Sequence, residues 1–129
     1  MRRLIVAILL VQFLVGCASG FDGGDTISLV QLAHENQTNV NKLTVDMKKA
    51  AIVDLMGTKT AKTNNGPVSN PFRSEIFQDK TGAQYEVLYY VTEKNRAYQH
   101  LRLSQTTPLI LKNGMLIGWG AESLKQAKE

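Results

Sequence analysis

The sequence predicts an α+β domain, and three observations carry the prediction. Apolar residues recur at helical spacing through the first half of the chain and alternate at strand spacing through the second. Asn113-Gly114 then places a two-residue hairpin turn between two apolar runs. The elements follow in order. Asp25 or Thr26 caps a helix from about Ile27 into the thirties, with Ile27, Val30 and Ala33 at i, i+3 and i+6. Asn36-Gln37-Thr38-Asn39 weakens its far end, and Val40, Leu43 and Val45 return the chain toward a core. A second helix spans Lys48 to Met56. Ala51, Ile52, Leu55 and Met56 form its apolar stripe, Lys48, Lys49 and Asp54 stand outside it, and Gly57 follows where a helix stops in a left-handed residue.

Thr58 to Pro71, TKTAKTNNGPVSNP, is polar and rich in Asn, Gly and Pro, which reads as a loop. Beyond it Phe72 to Gln78 is a predicted strand, Asp79-Lys80-Thr81-Gly82 a turn, and Ala83 to Glu93 a longer strand with Tyr85, Val87, Tyr89 and Val91 on one face. Lys94 to Thr106 is polar and loops out. Pro108 to Lys112 and Met115 to Trp119 flank Asn113-Gly114, whose residues both tolerate positive φ. Glu122 to Glu129 is a polar tail, at most a frayed helical turn.

The chain opens with a different kind of segment. Met1-Arg2-Arg3 precedes twelve uncharged residues, Leu4 to Val15, and Leu14-Val15-Gly16-Cys17 ends the run at the single cysteine. A transmembrane helix needs about 20 residues to cross a hydrocarbon core of roughly 30 Å, so this run is too short to span and reads as a cleaved secretory signal. Gly16 suits a peptidase pocket that admits small side chains, and the Cys17 thiol accepts a diacylglycerol thioether. Each buried CH₂ contributes about 0.8 kcal/mol, and stable anchoring takes two signals, which several chains on one residue provide. An ordinary signal cut near Ala18 or Ser19 is the alternative. In bacterial lipoproteins, which this pattern resembles, Asp after the cysteine tends to hold the protein in the inner membrane. Ala18-Ser19 here implies the outer membrane, lipid-anchored, with the domain facing the periplasm.

Residues 1–16 are thus the expected signal peptide, 17–25 a lipidated tether, 26–121 the folded domain and 122–129 the tail. Removing the signal leaves 113 residues, enough for one domain. It takes away two of fifteen basic residues and none of eleven acidic ones, so thirteen stand against eleven and the mature charge is +2. No basic run carries interleaved aromatics, so nucleic acid is not an expected partner. Acylation of Cys17 leaves no thiol for disulfides or redox chemistry. ASGFDGGD, Ala18 to Asp25, is a flexible tether rather than a phosphate loop, because no strand precedes it and no Gly-Lys-Ser/Thr follows.

DMKKAAIVDLMG, Asp46 to Gly57, is similar to the second-helix signature of the BamE/SmpA/OmlA group of small outer-membrane lipoproteins. That signature runs Gly-Met-Thr, a polar run, an aliphatic, then Leu-Gly. Met47, Ile52, Met56 and Gly57 match in register, while Asp46 replaces the usual glycine and Lys48 the usual Ser/Thr. NPFRSEIFQDKTGAQYEVLYY and TPLILKNGMLIGWG resemble an uncharacterised lipoprotein branch related to that group. The resemblance implies two helices packed on one face of a three- to four-stranded antiparallel meander sheet. It also implies a non-catalytic binding or scaffolding role in outer-membrane assembly or maintenance.

The residues offer little other chemistry. His34 and His100 lie 66 positions apart with no Cys or carboxylate at ligand spacing, which predicts no metal site. Glu75, Glu86 and Glu93 sit on or beside strands with no cleft between them, and Ser104 and Ser123 have no neighbouring base, so neither a catalytic site nor a cofactor is expected. The rival reading is a tethered periplasmic hydrolase, or an enzyme inhibitor presenting Thr58 to Pro71.

The expected partners are membrane lipid through Cys17 and an envelope protein. A two-residue turn at Asn113-Gly114 pairs Leu111 with Leu116 on one face, and Ile110 with Ile117 and Lys112 with Met115 on the other, where Trp119 joins them. Two helices cover one face only. Leu88, Tyr90, Ile110, Ile117 and Trp119 are therefore the candidate partner face, unless the 94–106 loop or the tail folds over it.

Overall fold

The computed structural model describes residues 26–93 and 100–129, so Cys17, the preceding signal and the tether to Asp25 lie outside the described residues. The chain is α+β, in the order β1 (Thr26–Ser28), α1 (Leu29–Val40), α2 (Lys49–Met56), β2 (Thr60–Thr63), β3 (Gly66–Ser69), β4 (Arg73–Gln78), β5 (Gln84–Val91), β6 (Thr106–Lys112), β7 (Met115–Trp119) and α3 (Ala121–Lys128). It differs from two helices on a single sheet, because the described residues form three helices and two sheets, one ordered β1-β2-β3 and one β4-β5-β6-β7.

The first departure is at the start. Thr26 to Ser28 pairs in parallel with Thr60 to Lys62, and Ser28, not Asp25 or Thr26, caps the helix by accepting from the Gln31 N–H at 3.1 Å. Shifting the start rotates the buried stripe. Leu32, Ala33, Asn36 and Val40 face inward, and Val30 is exposed. Asn36 does not weaken the helix end, since the helix continues to Val40.

The second departure is the expected loop from Thr58 to Pro71, which holds the β2–β3 hairpin. Each strand contributes one buried side chain, Ala61 from β2 and Val68 from β3. Pro67 fits because β3 is the edge of its sheet, where a missing N–H goes unneeded. Gly66 takes φ +105 on leaving the turn. These side chains pack with Leu32, Ala33 and Val91, flanked by Ile27, Leu29, Phe72 and Leu101. Val91, at the end of β5, thus leaves the face shared by Tyr85, Val87 and Tyr89.

The second helix forms as predicted from its stripe. Ile52 and Met56 are buried, Leu55 is half-buried, Ala51 is exposed, and Gly57 at φ +74 ends the helix. The four-stranded meander also follows the alternation, with strand bounds within two residues of those expected. In the β4–β5 turn, Asp79 accepts from the Thr81 and Ala83 N–H groups and the Thr81 hydroxyl. The Thr81 hydroxyl in particular holds its carboxyl below the usual range.

The third departure is the tail, which is a helix. α3 covers the sheet face opposite α1 and α2, with Leu124 and Ala127 packed on Tyr85, Val87, Tyr89 and Ile110. Of the 94–106 loop, residues 94–99 lie outside the described residues. Leu103 to Gln105 forms a 3₁₀ turn, and the Gln105 carbonyl accepts from the Thr92 and Glu93 N–H groups at 3.1 Å.

Candidate contact surface

The five residues expected to form one partner face are split by the fold. Leu88 and Tyr90 are buried with Leu109, Leu111 and Leu116 beneath Val40, Leu43, Ile52 and Met56, and Trp119 packs against that cluster. Ile110 is buried on the other face with Tyr85, Val87 and Tyr89 under α3. Only Ile117 of the five is exposed, at 42 %. Two features split them: the β5–β6 register sets Leu88 opposite Leu109 and Val87 opposite Ile110, so Leu88 and Tyr90 face away from Ile110, and a bulge in β7 moves Trp119. Lys112 pairs with Met115 and Leu111 with Leu116 as expected, but the register then shifts, so Ile110 opposes Gly118 and Leu109 opposes Trp119. An extra residue in one strand reverses the facing of everything beyond it, which takes Trp119 to the α1/α2 face and leaves Ile117 unpaired at the rim. Gly118 was the available signal, because glycine inside a strand marks a bulge or a close approach. Here it marks both, since a Cβ at Gly118 would lie 3.0 Å from Ser123 Oγ.

Ile117 belongs to an apolar strip along β7. Residues 46–48 add to that strand: the Leu116 N–H donates to the Met47 carbonyl at 2.8 Å, the Asp46 N–H to the Leu116 carbonyl at 2.8 Å, and the Lys49 N–H to the Gly114 carbonyl at 3.1 Å. Lys48 is thereby bridged to Met115, which opposes Lys112 on its other side. Met115 therefore stands between two lysines. Val45 immediately precedes the peptide bonded to the Leu116 carbonyl, and it is 55 % exposed. Val45, Met115 and Ile117 thus give three exposed apolar side chains beside Lys48 and Lys112.

Polar side chains within the fold have structural partners. Asn36 and Asn70 exchange amide hydrogen bonds at 2.8 and 2.7 Å, Asn36 also donates to the Val91 carbonyl and Asn70 to the Met56 carbonyl, each at 2.9 Å. This buried pair ties α1, the end of α2, the β3–β4 link and β5 together. Glu86 pairs with Lys49 at 2.6 Å and Glu75 with Lys128, so these strand carboxylates are not simply solvated. The Lys128 ammonium holds the Glu75 carboxyl below the usual range, and Glu75 raises Lys128 in return. Lys59 does the same for Glu35 at 2.9 Å. Burial pushes the Tyr90 hydroxyl up to about 12, and it has no hydrogen-bond partner among the described residues. His34, His100 and Ser104 are exposed and Ser123 lies against Gly118. No three His, Cys, Asp or Glu side chains among the described residues are grouped to hold a metal.

No curated protein and no solved structure matches the chain. Residues 25–126 match the model of a family described as protein of unknown function, DUF3192. That span runs from the residue before β1 into α3, so it takes in both sheets, α1, α2 and most of α3. The chain therefore belongs to the DUF3192 family.

Proposed function

We propose that the protein is a lipid-anchored, non-catalytic binding module of the cell envelope. Acylated Cys17 holds it at the outer membrane, and its domain works in the periplasm in envelope assembly or maintenance. The observation that carries the binding half of this reading is the strip formed by Val45, Met115 and Ile117 at the β7 rim. Apolar side chains exposed on hydrogen-bonded neighbouring segments beside charged ones make a candidate contact site. Lys48 and Lys112 on either side of Met115 favour an envelope protein with an apolar centre and an acidic rim. The strip replaces the expected partner face, whose other residues pack under α1 and α2 (Leu88, Tyr90, Trp119) or under α3 (Ile110).

The anchor rests on Leu14-Val15-Gly16-Cys17. Likeness to the BamE/SmpA/OmlA group is supported by Asp46, which sits at φ +73 where the resembled pattern has glycine, the residue that adopts such a backbone freely. Labelled palmitate should enter the wild-type protein and not Cys17→Ser, and the labelled protein should sediment with outer membranes. Ile117→Asp should reduce recovery of a crosslinked envelope protein without moving the melting midpoint. An unlabelled wild type ends the anchor reading, and unchanged crosslinking in Ile117→Asp ends the strip reading.

A further inference from the structure

The sheet face beneath α3 and the helix on it differ in how firmly each is built. The face belongs to the central strands, with Val87 and Ile110 fully buried, Tyr85 and Tyr89 nearly so, and Phe77 stacked on Tyr85 at 4.9 Å between centroids. The helix has eight residues and none of them is fully buried. Helices this short do not persist alone in water, so α3 is helical only while it is docked. Its hold includes the half-buried Leu124 and Ala127, contact of Ser123 with Gly118, the Gly120 N–H donating to the Pro108 carbonyl at 2.8 Å, and Lys128 against Glu75 and the Phe77 ring. The Lys128–Glu75 pair is partly open to solvent, at 46 % for Lys128 and 27 % for Glu75, and solvent-accessible pairs contribute modestly and are screened by salt. Gly120 joins helix to strand at φ +94, with open space where a side chain would be.

The geometry points to a helix-receiving site on this face. We propose that α3 fills it in cis and that a partner's amphipathic helix takes α3's place there. The occupant defines the chemistry: a leucine, a small apolar residue three positions on, and a lysine or arginine four positions on. In α3 these are Leu124, Ala127 and Lys128. The leucine and small residue cover Tyr85, Val87, Tyr89 and Ile110, and the cation reaches the Glu75 carboxylate, to which the Tyr89 hydroxyl also donates at 3.3 Å. The same cation lies 5.5 Å from the Phe77 ring centroid. Recognition of this kind is helix-in-groove binding read through i, i+3 and i+4 anchors. The site adjoins the β7 strip, since the Lys112 ammonium lies 5.6 Å from the Tyr85 ring centroid, but its argument rests on neither that strip nor the anchor.

The test uses the full chain with Cys17→Ser, which leaves no thiol. The probe is a fluorescein-labelled peptide of residues 120–129, GAESLKQAKE. Amides of 122–128 should exchange at least about 100-fold faster than those of Val87 and Ile110, as a locally opening segment does. Leu124→Asp, which undocks the helix, should bind the peptide at least about ten-fold tighter than the parent. Gly118→Cys with Ser123→Cys should close the site, because the two Cβ positions are 3.3 Å apart and need to separate by only a few tenths of an ångström to reach the roughly 3.5–4.5 Å of a disulfide. The oxidised form should bind no peptide, and reduction should restore parental binding. Exchange of 122–128 in step with Val87 and Ile110 would overturn the proposal, as would global unfolding of Leu124→Asp or a folded Leu124→Asp that binds no peptide.

Discussion

Replacing the buried asparagines tests how the two sheets are joined. Asn36→Ala removes two donated hydrogen bonds, to Asn70 Oδ1 and the Val91 carbonyl, and one accepted from Asn70 Nδ2. Asn70 Nδ2 keeps the Met56 carbonyl, but Asn70 Oδ1 is left without its donor in a buried position. A buried polar group stranded in this way costs about 1–3 kcal/mol, and the bond lost at Val91 adds about 1 kcal/mol. Asn36→Ala should therefore destabilise by about 3 kcal/mol, a substantial part of the roughly 5–15 kcal/mol that holds a domain folded. Asn70→Ala should cost a similar amount, since it strands Asn36 Oδ1 and withdraws the donor from Met56.

The double variant removes both ends of the reciprocal pair and strands neither amide. It should fall short of the sum of the singles by about 1–2 kcal/mol, within the range seen for contacting residues. Urea melts of the Cys17→Ser chain measure this as midpoint shifts at constant slope. Additive single effects, or singles below about 0.5 kcal/mol, would refute the reasoning, because the two amides would then be independent or solvated in the native state.

Tyr90→Phe should be neutral or stabilising by up to about 1 kcal/mol in the same melts, because the hydroxyl is buried with no partner among the described residues. Ile52→Ala should cost about 2–5 kcal/mol while Asp54→Ala changes little, since Ile52 is fully buried and Asp54 is exposed on the same helix. Glu75 has its native titration below the usual 4.5, so its contribution is fully present above that value and is lost as pH falls through the lower native one. Protection of the α3 amides should accordingly drop relative to those of β5 as pH falls below the usual carboxylate value, and Glu75→Gln should abolish that difference.

How much of this was legible in the sequence follows from how each element earns its signal. The second helix carries Ile52, Leu55 and Met56 on one stripe, and the meander has long alternating strands closed by Asn113-Gly114, so periodicity and turn chemistry located both. The small sheet was hidden because β2 and β3 each bury one side chain, Ala61 and Val68, in a run otherwise composed like a loop. Asn36 read as a helix breaker because its partner, Asn70, is 34 residues away. Its place on the stripe of Leu32, Ala33 and Val40 was the sign that it faces inward. The tail gave only Leu124 and Ala127, too short a period to separate helix from coil, and the sheet face supplies the rest. The partner face failed at two places: the β5–β6 register, which no turn residue announced, sets Leu88 and Tyr90 on the side opposite Ile110, and β7 carries an extra residue. One bulge at Ile117 put Trp119 and Ile110 on opposite sides, and only Gly118 announced it. Cys17 lies outside the described residues, and its role rests on the sequence pattern.

The most direct test of the central claim, a membrane-anchored module that binds through the β7 rim, is photocrosslinking in intact cells with Cys17 in place. A benzophenone side chain introduced at position 117 should yield one discrete adduct with an envelope protein, found in the outer-membrane fraction. The same group at position 54, exposed toward the far end of α2, should yield none, and Lys48→Glu with Lys112→Glu should weaken the adduct at 117. Position 117 giving no more adduct than position 54 would contradict the account.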